Sequence, residues 1–130
     1  MFANNSDTTK YINPDNTDWL AQLNDVILEY IEKEDLSNAF LAQKMNVSES
    51  HFYRLVKERT GKTPNKYIRV LKLNFAKTLL ESGKFEHIST VAYQVGFKRV
   101  DYFSRLFEEQ FGVRPKVLID KKSPLNLSRG

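Results

Sequence analysis

The 130-residue chain contains no cysteine, an absence that removes disulfides, thiolate nucleophiles and Cys-ligated zinc together. Histidine is scarce as well, and His51 and His87 alone are too few for a His-based metal cluster. No apolar run approaches the roughly 18–20 residues of a membrane span, and the opening MFANNSDTTK lacks the hydrophobic core of a signal peptide. Paired acid–base carboxylates and a phosphate-cradling glycine loop are also missing. His51 beside Ser50 makes no nucleophile and base, because adjacent helix residues point about 100° apart. These absences predict a soluble cytoplasmic protein that is not an enzyme, with no catalytic residue, no metal and no cofactor.

What is present suffices for a core: 41% of residues are apolar and 12% aromatic, with nine Phe and six Tyr. The length allows one ordinary domain, or two very small ones sharing a core. The net charge of +4 is unevenly spread. Residues 1–35 carry two Lys/Arg against eight Asp/Glu, whereas residues 36–119 carry fifteen against seven. An acidic front thus precedes a basic body, an asymmetry that points to a polyanionic partner.

Residues 1–17, rich in Asn, Asp, Thr and Ser, read as a flexible leader. Order is expected from Thr17 or Asp18, where Trp19, Leu20, Leu23, Val26, Ile27, Tyr30 and Ile31 follow the 3–4 spacing of an amphipathic helix. Helical spacing continues, and no convincing period-2 run interrupts it, so the fold class is all-α. Thr63 caps and Pro64 opens a long helix over 64–82, stopped by Gly83. At 1.5 Å per residue it measures about 28 Å. A polar tail, 121–130, closes the chain.

The flanks of this long helix repeat each other. LAQKMNVSESHFYRLVKERTG at 41–61 aligns with VAYQVGFKRVDYFSRLFEEQFG at 91–112, first by a shift of 50 and, after one inserted residue, of 51. Ala42 and Ala92 provide small side chains where a second helix must approach closely. Asn46 and Gly96 are residue types that tolerate the left-handed backbone of a tight turn. Val47 and Phe97 plug the corner, and Ser48 caps the next helix. Short helix, tight turn and second helix form a helix-turn-helix unit. The expected organisation is a first subdomain over 18–63, the linker helix 64–82 and a second subdomain over 83–120.

The second helix of each unit divides into two faces. Phe52, Leu55 and Val56 face the core in the first, as do Phe103, Leu106, Phe107 and Phe111 in the second. Ser50, Tyr53, Arg54 and Lys57 share the outward face of the first. Asp101, Ser104, Arg105 and Glu108 share that of the second, with Lys98 and Arg99 at its start. Polar groups so arranged suit base edges in a DNA major groove, where arginine fits guanine O6 and N7. Ser50, Tyr53, Arg54, Arg99, Asp101 and Arg105 are the candidate base readers, and Ser48, Lys57, Lys98 and Ser104 the candidate phosphate contacts. Tyr53 is equally readable as a half-buried surface ring. Lys62, Lys66, Arg69 and Lys72 are either a solvated stripe or further phosphate contacts. Two recognition helices, about 49–60 and 99–111, joined by a connector of about 28 Å, imply a pseudo-dimeric monomer that addresses successive major-groove segments, since one DNA turn is roughly 34–36 Å.

Over residues 36–118 the chain resembles the AraC/XylS-type transcriptional regulators. The most specific stretch runs from Ile88-Ser89 through Val91-Ala92-Tyr93-Gln94-Val95-Gly96-Phe97 and Phe103-Ser104-Arg105-Leu106-Phe107 to Phe111-Gly112-Val113 and Pro115. The resemblance implies a seven-helix DNA-binding domain of two helix-turn-helix subdomains, acting on a double-stranded operator, usually as an activator with RNA polymerase as partner. It also implies a sensory region or a homodimer partner. The Trp19–Ile31 helix with its acidic lead-in is similar to the segment preceding such domains in hybrid two-component regulators of gut bacteria, which would make the chain an output module. Val117-Leu118 depart from the family's Tyr-Arg after Pro115. Glu108 stands where the first unit has Lys57, so the first unit is expected to dominate affinity. The rival reading is a protein-interaction module that docks through its acidic N-terminal helix.

Overall fold

The structure is a computed structural model that describes residues 18–33 and 36–122, with side chains described as far as Asp120. The predicted leader 1–17, and the tail beyond residue 122, lie outside the described residues. Seven helices and no strand occur among them: α1 (Asp18–Glu29), α2 (Asn38–Lys44), α3 (Glu49–Thr60), α4 (Pro64–Glu81), α5 (Ile88–Gln94), α6 (Val100–Phe111) and α7 (Pro115–Lys122). Two compact units result. Among the described residues, the first holds α1 to α3 and the start of α4 to Ile68; the second holds residues 31–33 and 69–122.

In the first unit α1 packs on α2, and α2 on α3. The apolar stripe predicted for α1 is consumed here: Trp19, Leu23 and Ile27 are fully buried, and the Trp19 ring meets Phe52 at 6.1 Å. The Arg59 guanidinium lies 5.9 Å from the centre of the same ring, a cation–π distance. Tyr67, near the start of α4, donates its hydroxyl hydrogen to Asn24 of α1, and burial pushes its pKa up. Ser37 caps α2 by accepting the Phe40 N–H at 3.1 Å. Thr63 Oγ1 accepts the Lys66 N–H at 3.4 Å, next to Pro64 at the first position of α4.

In the second unit α5, α6 and α7 pack on one another, and Leu73, Ala76 and Leu80 of α4 join their core. Phe97, Phe103, Phe107 and Phe111 form a ladder of rings 5.3, 5.7 and 4.6 Å apart, within the range that tilted aromatic pairs prefer. Ile31 is a member of this core rather than the last turn of α1, which ends at Glu29. Lys72 also departs from the expected exposed stripe, because it is only 8% exposed. Its position explains this: it lies four residues from both Ile68 and Ala76, on the buried side of α4. Its stem is covered, and its ammonium sits 5.9 Å from the Phe97 ring centre.

The turn residues behave as the repeat predicts. Asn46 has φ 62° and is the non-glycine residue with positive φ among the described residues, while Gly96 has φ 90°. Each turn is closed by the same bond, from Val47 N–H to the Ala42 carbonyl at 3.1 Å and from Phe97 N–H to the Ala92 carbonyl at 2.9 Å. The two positions nevertheless differ in crowding. Asn46 is exposed, whereas a Cβ on Gly96 would collide with the Ile31 carbonyl oxygen and fall 2.8 Å from Lys72 Nζ. Gly112, at φ 78°, has open space where its Cβ would stand. Gly112→Ala is therefore expected to cost about 1 kcal/mol from backbone strain alone, and Gly96→Ala distinctly more, on the order of 3 kcal/mol once the clash is added. Urea unfolding followed by helical circular dichroism would rank the two; equal losses would contradict the close approach at Gly96.

Candidate nucleic-acid interface

A recognition helix needs its apolar face held and its polar face free. In α3 the first condition is met by Phe52, Leu55 and Val56, none more than 4% exposed. Ser50, Tyr53, Arg54 and Lys57 are all exposed on the other side, Tyr53 at 43%. Ser48 fixes the start of the helix, its Oγ accepting the His51 N–H at 3.1 Å. Because the cap uses a lone pair of that oxygen, the hydroxyl hydrogen remains available to an acceptor such as a phosphate.

In α6 Phe103 and Phe107 are fully buried and Leu106 is 8% exposed, with Phe111 packed partly buried against the same core. Asp101, Arg105 and Glu108 are exposed, as are Lys98 and Arg99 just before the helix. Ser104 is half-buried. Each unit thus gathers its own candidate residues on one helix and the turn before it.

The two faces differ electrostatically. Arg54 and Lys57 leave the α3 face cationic, with Glu49 and Glu58 also exposed on that helix. On α6 the charges answer one another. Arg99 donates to Asp101 from Nη2 at 2.7 Å and from Nε at 3.3 Å. Those hydrogen bonds, followed by the Tyr102 backbone N–H, hold the Asp101 carboxyl below the usual range, and the same partner holds Arg99 above its own. Glu108 pairs with Arg114 at 3.6 Å, an exposed contact of the kind worth little to stability. Arg105 rests over the Tyr102 ring, 5.3 Å from its centre.

Two of these features escaped sequence reading. Tyr102 precedes Arg105 by three residues, so helical spacing alone places their side chains together. The Arg99–Asp101 bond had no such signal, since residues two apart do not face each other within a helix. It forms because Arg99 is the N-cap residue, in extended backbone at φ −114°. Unlike Ser48 it makes no side-chain cap. Among the described residues no group of three or more His, Asp or Glu is placed to hold a metal ion.

Two helix-turn-helix units, each presenting a polar recognition face, define a DNA-binding domain. A family description reading "Helix-turn-helix domain" matches residues 41–121, and the chain belongs to the AraC-type branch of that family. It is 33% identical over 90 residues, 69% of its length, to a histidine kinase P4 of Formosa agariphila, of which it covers 6%. It is 33% identical over 98 residues to the transcriptional activator RhaS of Citrobacter koseri, covering 74% of this chain and 35% of that one. An AraC-type transcriptional regulator from Chromobacterium violaceum superposes with a TM-score of 0.74 at 27% identity, covering 86% of this chain and 98% of the other. The chain therefore spans between a small fraction and about a third of these two curated relatives. No helix among the described residues is long and apolar enough to cross a membrane.

The unequal caps lead to a stability difference. Ser48→Ala removes a capping acceptor and is expected to lower the unfolding free energy by about 1 kcal/mol. Arg99→Ala, at the corresponding position of α6, removes no cap and should leave the urea midpoint essentially unchanged. Unfolding curves of the two variants would show whether this contrast holds.

Proposed function

We propose that this chain is a sequence-specific double-stranded DNA-binding module that regulates transcription, as an activator, by placing α3 and α6 in successive major-groove segments. The observation that carries the reading is the duplicated division of faces: equivalent residues are buried on one side of α3 and α6, and equivalent arginines, Arg54 and Arg105, are exposed on the other. A buried stripe explains half of that repetition through packing. Packing does not explain the repeated arginine, which a guanine does.

In this reading Ser50, Tyr53 and Arg54 read bases from α3, and Arg99, Asp101 and Arg105 form the reading group of α6. Ser48, Lys57, Lys98 and Ser104 meet phosphates. Phosphate contacts set affinity and register, while base contacts set sequence. The cationic α3 face supplies most of the attraction, because the acids on α6 offset its arginines. RNA polymerase is the partner that activation implies, and the cytoplasm is where an operator would be met. The likeness to a histidine kinase supports a place at the output end of a two-component regulator.

An interaction module docking through α1 is the less favoured reading. The apolar face of α1 is already buried in the first unit, which leaves Asp18, Asp25 and Glu29 among its exposed residues.

Binding-site selection from a random duplex pool, at stated salt, tests the proposal. Arg54→Ala is expected to cost about 1–3 kcal/mol on the selected site and to relax one base position. Lys57→Ala should weaken all duplexes alike and flatten the salt dependence by about one unit of slope. If neither change alters binding to any duplex, the DNA reading falls and the interaction module takes its place.

A further inference from the structure

The start of α6 holds an ion pair where the start of α3 holds a cap. The contact between Arg99 and Asp101 uses one particular edge of the guanidinium, the side formed by Nε and Nη2. A guanidinium has five N–H donors in one plane. Two are taken by the carboxylate, and the remaining three include the end-on fork between Nη1 and Nη2. That fork matches the paired acceptors O6 and N7 of guanine.

Both partners are solvated, with side chains 73% and 72% exposed, and an exposed pair left to itself would wander. Asp101 stands in the first turn of α6, where backbone N–H groups lack intrahelical partners and favour a negative charge. The helix start therefore favours the carboxylate where it stands, and its two-point contact orients the arginine. With its carboxyl held below the usual range, Asp101 stays ionised at neutral pH.

We infer that Asp101 is a positioning residue rather than a base contact, presenting the free fork of Arg99 to one guanine in the groove segment that α6 meets. This inference rests on the DNA-binding reading proposed above. It also carries an electrostatic cost: a carboxylate near phosphates repels them. Asp101 accordingly lowers attraction to DNA of any sequence while sharpening the choice at one base pair.

That opposition of signs makes the inference testable on the full 130-residue chain. Binding sites would be selected for the unaltered chain, Arg99→Ala, Asp101→Ala, Asp101→Asn and the double alanine variant, with titrations on the selected duplex and on an unrelated one. Arg99→Ala should abolish a guanine preference of roughly tenfold to a hundredfold at one position. Asp101→Ala should reduce the preference at that same position to a few-fold, while binding the unrelated duplex as tightly as the unaltered chain or more tightly. Asp101→Asn, which keeps one acceptor oxygen, should restore part of the preference. In base preference the double variant should match Arg99→Ala alone, since coupled residues are not additive. A full preference retained in Asp101→Ala would overturn the inference. So would a change at a different base pair, which would make Asp101 a reader itself, or weaker binding to both duplexes with a lowered melting temperature, which would make its role structural. If the unaltered chain selects no sequence, the DNA-binding reading fails first and this inference with it.

Discussion

The tight turn between two short helices is the constraint on which each unit depends. A left-handed residue lets the backbone reverse, and a buried alanine one turn earlier lets the second helix come close. In the first unit Asn46 and Ala42 fill these places, and in the second Gly96 and Ala92. The bond from the residue after the turn back to that alanine carbonyl then fixes the direction in which the second helix leaves. With that direction set, the side chains of α3 and α6 no longer choose their surroundings. Phe52 and Phe103 go inward, and Arg54 and Arg105 go outward.

The same scaffold then carries two different electrostatic solutions. The α3 face begins with a serine that caps the helix and leaves Arg54 and Lys57 exposed. On α6, Arg99 is neutralised by Asp101 and Arg105 is laid on an aromatic ring. An open cationic face attracts phosphates without asking their sequence. A pre-oriented arginine gains less from general attraction and more from a particular acceptor pair. In the proposed reading, the difference between the outward residues of α3 and α6 divides affinity and selectivity between the halves of one chain.

Much of this was legible beforehand, for identifiable reasons. The all-α class follows from apolar spacing, the count of seven helices from the family resemblance, and the caps at Ser48 and Thr63 from residue type and position. The outward faces were legible because helical geometry sorts residues by sequence separation alone. Charge alone groups Lys72 with the exposed stripe, but its position, four residues from Ile68 and from Ala76 on the buried side of α4, covers it. Spacing alone extends α1 to Ile31, yet the helix ends at Glu29 and Ile31 joins the second core.

By itself, then, the sequence determined what local periodicity and residue chemistry can determine: the helices, the turns and the division of α3 and α6 into core and outward faces. Only the tertiary structure decided that Gly96 is required by a neighbour as well as by its own φ, because the Ile31 carbonyl that crowds it lies 65 positions away in the chain. It likewise decided that Arg99 turns to Asp101 instead of capping α6, a choice set by the extended backbone of residue 99 and the direction of one side chain. Contacts of this kind depend on distances through space, and the order of residues along a chain specifies those only after folding.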